Sequence, residues 1–279
     1  MEIKTLLNIK RSRMTAYMTL ILSVLALFAC LVGILEKSIY EDVLSSGTIT
    51  QFLLVGSVGQ DIIFIPFALL LAFLSVFFLK RPNIKTFITI LGLTCNFFYG
   101  YGLYSIQGQY TTIYLIYLAI FSLSTYSIVF GLLSFTTELI DRVSLPRAVR
   151  IYTSVFLYSI VLMLGLVWLI RITPDIARHI PQDIYGVFVL DLGIVFPAIA
   201  ITATMLIKNK PFGNILTGVI LMKVFSVCLS WGFGEWYGRF SGNIQGSYDM
   251  LLIPTSLTII SFVFVILYLL KLQITSEKS

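Results

Sequence analysis

This chain has little of what soluble enzymes are built from. Of its 279 residues only 11% are charged, one is histidine and three are cysteine. A single histidine, His179, builds neither a bis-histidine haem site nor a histidine metal cluster. Cys30, Cys95 and Cys228 form no C-x-x-C pair, which argues against a thiol oxidoreductase. No P-loop, G-x-S-x-G elbow or H-E-x-x-H zinc motif occurs. No catalytic residue, metal or cofactor is therefore assigned, and enzymes that depend on those motifs are set aside.

What the chain has in excess is apolar surface. Hydrophobic residues make up 58% and the mean hydropathy is +0.97, far above a soluble domain of this length. The fold class expected is all-α, a polytopic membrane helix bundle. A helix needs roughly 20 apolar residues to cross the hydrocarbon, and eight segments qualify, at about 14–36, 61–80, 86–106, 111–134, 151–171, 184–207, 212–233 and 249–271. The short alternating stretches of a β-barrel are not seen. The first segment reads as an uncleaved helix, because its apolar run exceeds a signal-peptide core and no small-x-small site closes it. Leu27-Phe28-Ala29-Cys30 has a faint lipoprotein-box look; cleavage there would leave seven helices and an outside N-terminus.

Basic residues orient the bundle. With both termini in the cytoplasm, fourteen of the 19 Lys and Arg fall on that side, among them Lys4, Lys10, Arg11, Arg13, Arg142 and Lys278. Only Lys37, Arg171, Arg178 and Arg239 fall outside, as the positive-inside rule requires. The net charge of +6 is thus a topology signal and calls for no nucleic-acid partner. The expected partners are the lipid bilayer and a small-molecule or ion ligand.

Several patterns occur twice in the same order. Tyr99-Gly100-Tyr101-Gly102-Leu103-Tyr104 is echoed 132 residues later by Trp231-Gly232-Phe233-Gly234-Glu235-Trp236. Ser122 to Phe130 is echoed by Ser256 to Phe264 with five identities in nine, and Asp61 and Pro66 by Asp191 and Pro197. The expectation is two four-helix repeats, residues 1–140 and 141–279, joined through the polar stretch from Thr136 to Arg150. Four helices is an even number, so both repeats enter the membrane in the same direction and are parallel.

The copies differ where chemistry is easiest to place. Lys223 falls near mid-membrane, and its counterpart in the first repeat is Leu91. A lysine at that depth needs a partner or water. Ser226 and Ser230 follow it at helical spacing and share its face. Asp191, one helix earlier, is the natural partner, and the expectation is a buried Asp191–Lys223 ion pair, serving either a ligand site or helix locking. Thr89, Gly92, Asn96 and Tyr99 form a second stripe, with Asn96 near mid-membrane. Asp61 is expected at the outer start of the second helix, as an interfacial residue, an N-cap or a pocket member.

The segments Gly59-Gln60-Asp61 and Leu190-Asp191-Leu192, with Pro197, Lys210-Pro211-Phe212-Gly213 and Lys223, resemble a family of uncharacterised bacterial multispanning membrane proteins. The resemblance spans the second to seventh helices. It implies a bacterial plasma-membrane setting and no assigned activity. Three function classes stay open: a small permease, carrier or membrane receptor with an outward-facing polar pocket of Asp61, Asn96, Asp191 and Lys223; a non-catalytic assembly, immunity or sensory component; and, more remotely, a membrane-embedded enzyme or a retinal-type chromophore protein built on Lys223 and Asp191.

Overall fold

A computed structural model describes residues 7–36, 38–241 and 248–275. Lys4, Lys37 and Lys278, which enter the charge asymmetry, lie outside the described residues. The described chain is helical, in the order α1 (Ile9–Leu35), α2 (Ser38–Ser45), α3 (Gln51–Lys80), α4 (Ile84–Ile106), α5 (Tyr114–Leu132), α6 (Thr137–Arg142), α7 (Arg147–Arg178), α8 (Tyr185–Leu190), α9 (Phe196–Ile207), α10 (Pro211–Phe240) and α11 (Asp249–Lys271). A π-helical turn, Asp191–Val195, joins α8 to α9. Among the described residues eight spans are long and apolar enough to cross a membrane: α1, α3, α4, α5, α7, the α8 to α9 segment, α10 and α11.

Local chemistry sets the helix starts. The Asn8 side chain accepts the Arg11 N–H at 3.1 Å and that of Asn83 accepts the Thr86 N–H at 3.2 Å, each satisfying an otherwise orphaned donor. Pro211 opens α10 at a position where its missing N–H costs nothing. Three spans run well past their apolar stretches. α3 starts at Gln51 instead of about residue 61, α7 ends at Arg178 instead of about 171, and α10 ends at Phe240 instead of about 233. Hydropathy marks only the hydrocarbon portion of a span, whereas backbone hydrogen bonding favours continuing the helix through the interface.

Consecutive spans pack in antiparallel pairs, α1 on α3, α4 on α5, α7 on α9 and α10 on α11. α4 and α10 are the most buried spans and cross each other at the centre. Their approach is close because Gly92 of α4 faces Val219 and Met222 of α10, while Gly218 of α10 faces Ile88 of α4. Small residues at such crossings let helix backbones meet and gain packing energy that lipid cannot supply. α3 leans on α10 where Gly59 meets Gly234, 3.3 Å from a Cβ built on Gly59 to the Gly234 Cα. α1 also closes against α5, but α7 meets α11 only sparsely, with Phe156 stacked on Phe264 at 4.5 Å.

The two ends of the bundle differ. At the end where α1 begins and α11 finishes, β1 (Val143–Ser144) pairs antiparallel with β2 (Gln273–Ile274), Val143 opposite Ile274. Leu7 bridges to Phe135, and Phe87 stacks on Phe78 at 4.9 Å and meets Phe135 in a tilted contact at 5.6 Å. Asn214 Nδ2 donates to the Val143 carbonyl at 3.0 Å. That end is sealed. The far end, formed by α2, the loops after α4 and α7 and the last turn of α10, is not.

Candidate functional site

From the far end a cavity of about 800 Å³ descends between α3, α4, α7, the α8 to α9 segment and α10. Its mouth carries Arg171, Gln182, Asp183 and Glu235, and its deeper wall is mainly apolar, with Ile160, Leu164, Phe196, Ile199, Val224 and Val227. Set into that wall are Gln60, Asn96, Tyr99, Asp191, Lys223 and Ser230. Volume and mixture are those of a small-molecule site, mostly apolar with a few polar groups.

Asp191 is positioned by an irregularity in its helix. Pro197 has no N–H to donate to the carbonyls one turn before it, and the chain answers with the π turn, in which the Phe196 N–H bonds to the Asp191 carbonyl. The Asp to Pro spacing is five residues in α3 (Asp61, Pro66) and six here. A π turn accommodates one extra residue, and such bulges recur at functional sites. The carboxylate accepts the Trp168 indole N–H at 2.7 Å, and Arg171 lies over the same indole at 5.6 Å. Tyr99 and Lys223 are the other polar groups around it.

Lys223 lies twelve residues into α10 from Pro211, so at 1.5 Å per residue it is roughly 18 Å from the sealed end. Its ammonium sits 4.8 Å from the centre of the Tyr99 ring, a cation–π geometry. Among the described residues Lys223 makes no hydrogen bond and no ion-pair contact. The expected direct Asp191–Lys223 pair is therefore replaced by a Tyr99-centred arrangement, in which both charges face one cavity. The reason is geometric: the Lys223 stem follows the aromatic face of α4, while the Asp191 carboxylate is held by α7 through Trp168.

Asn96 is 1% exposed, and among the described residues neither its Nδ2 nor Gln60 Nε2 has a hydrogen-bond partner. Ser230 reaches the cavity wall but donates to the Ser226 carbonyl at 2.9 Å. Ser226, expected on the same face, is fully buried away from the cavity and donates to the Lys223 carbonyl at 3.2 Å. Serine hydroxyls in helices commonly turn back in this way.

Asp61 differs most from expectation. The early start of α3 puts it ten residues inside the helix rather than at its cap, and it is buried outside the cavity. Tyr40 of α2 donates to its carboxylate at 2.5 Å. Burial, then the neighbouring Tyr104 and Asp61, push the Tyr40 hydroxyl well above the ordinary tyrosine value, so it stays a donor. Cys30, Tyr101, Tyr104 and Tyr117 complete this closed pocket, and a methyl on Gly33 would collide with the Asp61 carboxylate. Asp61 is thus enclosed, whereas Asp191 opens on a cavity.

Sequence reading missed Trp168 and Gln60. A tryptophan near the end of an apolar run looks the same whether it anchors at the interface or reaches inward. Gln60 carried a usable signal, an amide beside Asp61, but only once α3 was known to begin at Gln51. No group of three or more His, Cys, Asp or Glu suited to a metal occurs among the described residues. In comparisons with known proteins, no family model, no curated protein and no solved structure matches this chain. The eight apolar helices mark a multispanning membrane protein, and the functional reading rests on this chain's own geometry.

Proposed function

We propose that this chain is a small permease, carrier or membrane receptor of a bacterial plasma membrane, whose ligand cavity lies between two parallel four-helix repeats and opens away from the cytoplasm. The orientation is supported by the Lys and Arg excess at the end that carries the termini. The repeat is supported by equivalent pairings, α1 on α3 with α7 on α9, and α4 on α5 with α10 on α11. It is also supported by the single residue that the π turn adds between Asp191 and Pro197. Within this reading the first repeat is shut by α1 on α5. The second lacks that closure, and the space is left to the cavity.

The observation that carries the proposal is the set of polar groups around the 800 Å³ cavity, where Lys223 and Asn96 face inward with no acceptor for their N–H groups. Polar groups this deep are costly in a membrane and mark ligand or ion paths. Lys223→Met and Asp191→Asn, assayed for ligand binding and uptake in vesicles, are expected to abolish both while the protein still inserts and folds. Wild-type behaviour of both variants overturns the proposal.

A second reading, a non-catalytic assembly or sensory component, draws on the Trp168 to Asp191 bond as a tether between α7 and the π turn. Under it, single substitutions lower folded yield, and joint apolar replacement of Asp191 and Lys223 restores it.

A further inference from the structure

The groups around the cavity are unequal in what they lack. Asp191 already receives the Trp168 N–H at 2.7 Å, with Tyr99 beside it. Lys223, 7% exposed, has its ammonium against an aromatic face and no acceptor among the described residues. Asn96 Nδ2 and Gln60 Nε2 are donors without partners among the described residues. The unmet demand is for acceptors, and buried donors left without one carry a desolvation cost that a ligand can remove.

Charge narrows the acceptor. One ammonium and two neutral amides suit a single negative charge. The guanidinium fork that favours phosphate is missing from the deep wall, and Asp191 nearby disfavours a second charge on the ligand. Around and above these donors the wall is largely apolar, formed by Ile160, Leu164, Phe196, Val224 and Val227, and would exclude a highly hydrated body.

We propose that the cavity takes a small organic acid, its carboxylate held by Lys223 and Asn96 at the deep end and its apolar body lying along α7, α9 and α10. This specifies the ligand class of the site and rests on reading the cavity as a ligand site. Lys223 makes a charge-assisted hydrogen bond to one carboxylate oxygen, and the Asn96 amide donates to the carboxylate as well. Tyr99 borders both groups, its ring against the ammonium and its hydroxyl toward the Asp191 carboxylate, and Lys223 makes no direct ion pair among the described residues, so its N–H groups stay open to the ligand.

The test uses the full chain in lipid nanodiscs and three probes of one shape, 3-phenylpropanoate, 3-phenylpropanol and 3-phenylpropylamine, followed by saturation-transfer NMR. The acid is expected to bind at least about tenfold more tightly than the alcohol or the amine. Lys223→Met should weaken the acid by about thirtyfold or more, the usual penalty for truncating one member of a buried charged pair, and leave the alcohol unchanged. Lys223→Arg should retain most of the preference. Alcohol or amine binding as tight as the acid, or full acid binding by Lys223→Met, overturns the organic-acid assignment and leaves the ligand site standing. Absence of binding by all three probes overturns both.

Discussion

Replacing Trp168 by Phe keeps an aromatic ring on α7 and removes one donor, the indole N–H that reaches Asp191 at 2.7 Å. Both residues are 7% exposed and line the cavity, so water replaces only part of that bond. Interhelical hydrogen bonds in membranes are worth about 0.6 kcal/mol on average and up to about 1.7 kcal/mol. Hydrogen bonds to charged groups lie higher, at about 1.5–3 kcal/mol in soluble proteins. The coupling expected here is therefore about 1–2 kcal/mol. The smaller ring adds a packing loss, but a double-mutant cycle subtracts it. Trp168→Phe, Asp191→Leu and the double variant would be unfolded by SDS titration in mixed micelles and followed by circular dichroism at 222 nm. The double variant should be less destabilised than the sum of the singles by that coupling. Additivity within about 0.5 kcal/mol would show that the bond does not fasten α7 to the π turn.

Other perturbations test the frame around the site. Gly92→Ala drives a methyl group into Met222 and the Val219 carbonyl at the central crossing and should cost about 1–3 kcal/mol in the same titration. Gly193→Ala, with open space around it, should be neutral or stabilising by up to about 1 kcal/mol. Deleting Gly193 restores the five-residue Asp to Pro spacing. It should turn Asp191 by about 100° relative to α9 and abolish the Trp168 coupling with folded yield retained, read by repeating the cycle in the deletion background. Tyr40→Phe removes the donor to the enclosed Asp61 carboxylate and should lower stability by about 1–3 kcal/mol, seen as a lower thermal midpoint, with organic-acid binding unchanged because Asp61 is outside the cavity.

Helix number was legible because each span carries enough apolar residues to be read one at a time. Helix ends were not. Gln51 to Gln60 carries Phe52, Leu53, Leu54 and Val55, but Gly56, Ser57, Gly59 and the glutamines at its two ends interrupt the run just before Asp61; it belongs to α3, on which α2, α4 and α10 pack, and Asp61 was misplaced because the span was started after it. Lys223, Asn96, Tyr99 and Asp191 stood out as polar residues deep in apolar helices, and the fold brings those four to one cavity. How they meet was not readable. The Tyr99 ring beside Lys223 and the Trp168 bond to Asp191 join α4 to α10 and α7 to the π turn, and no periodicity within a single helix encodes contacts between helices. Ser226 shows the converse. Its spacing from Lys223 is right for a shared face, but its hydroxyl is satisfied by its own helix and faces packed protein.

As a ligand site, the cavity lets water and ligand reach Lys223 from the end where α10 finishes, while the counterpart position in α4 is closed. Leu91 and Lys223 permit a matched test, since Leu91 is fully buried and Lys223 lines the cavity. In a background with Cys30, Cys95 and Cys228 replaced by alanine, Lys223→Cys and Leu91→Cys would each be exposed in intact cells to a membrane-impermeant cationic methanethiosulfonate. Modification is expected at 223, slowed by 3-phenylpropanoate, and none at 91. Equal modification at the two positions, or no modification at 223 in protein that is folded and inserted, would contradict it.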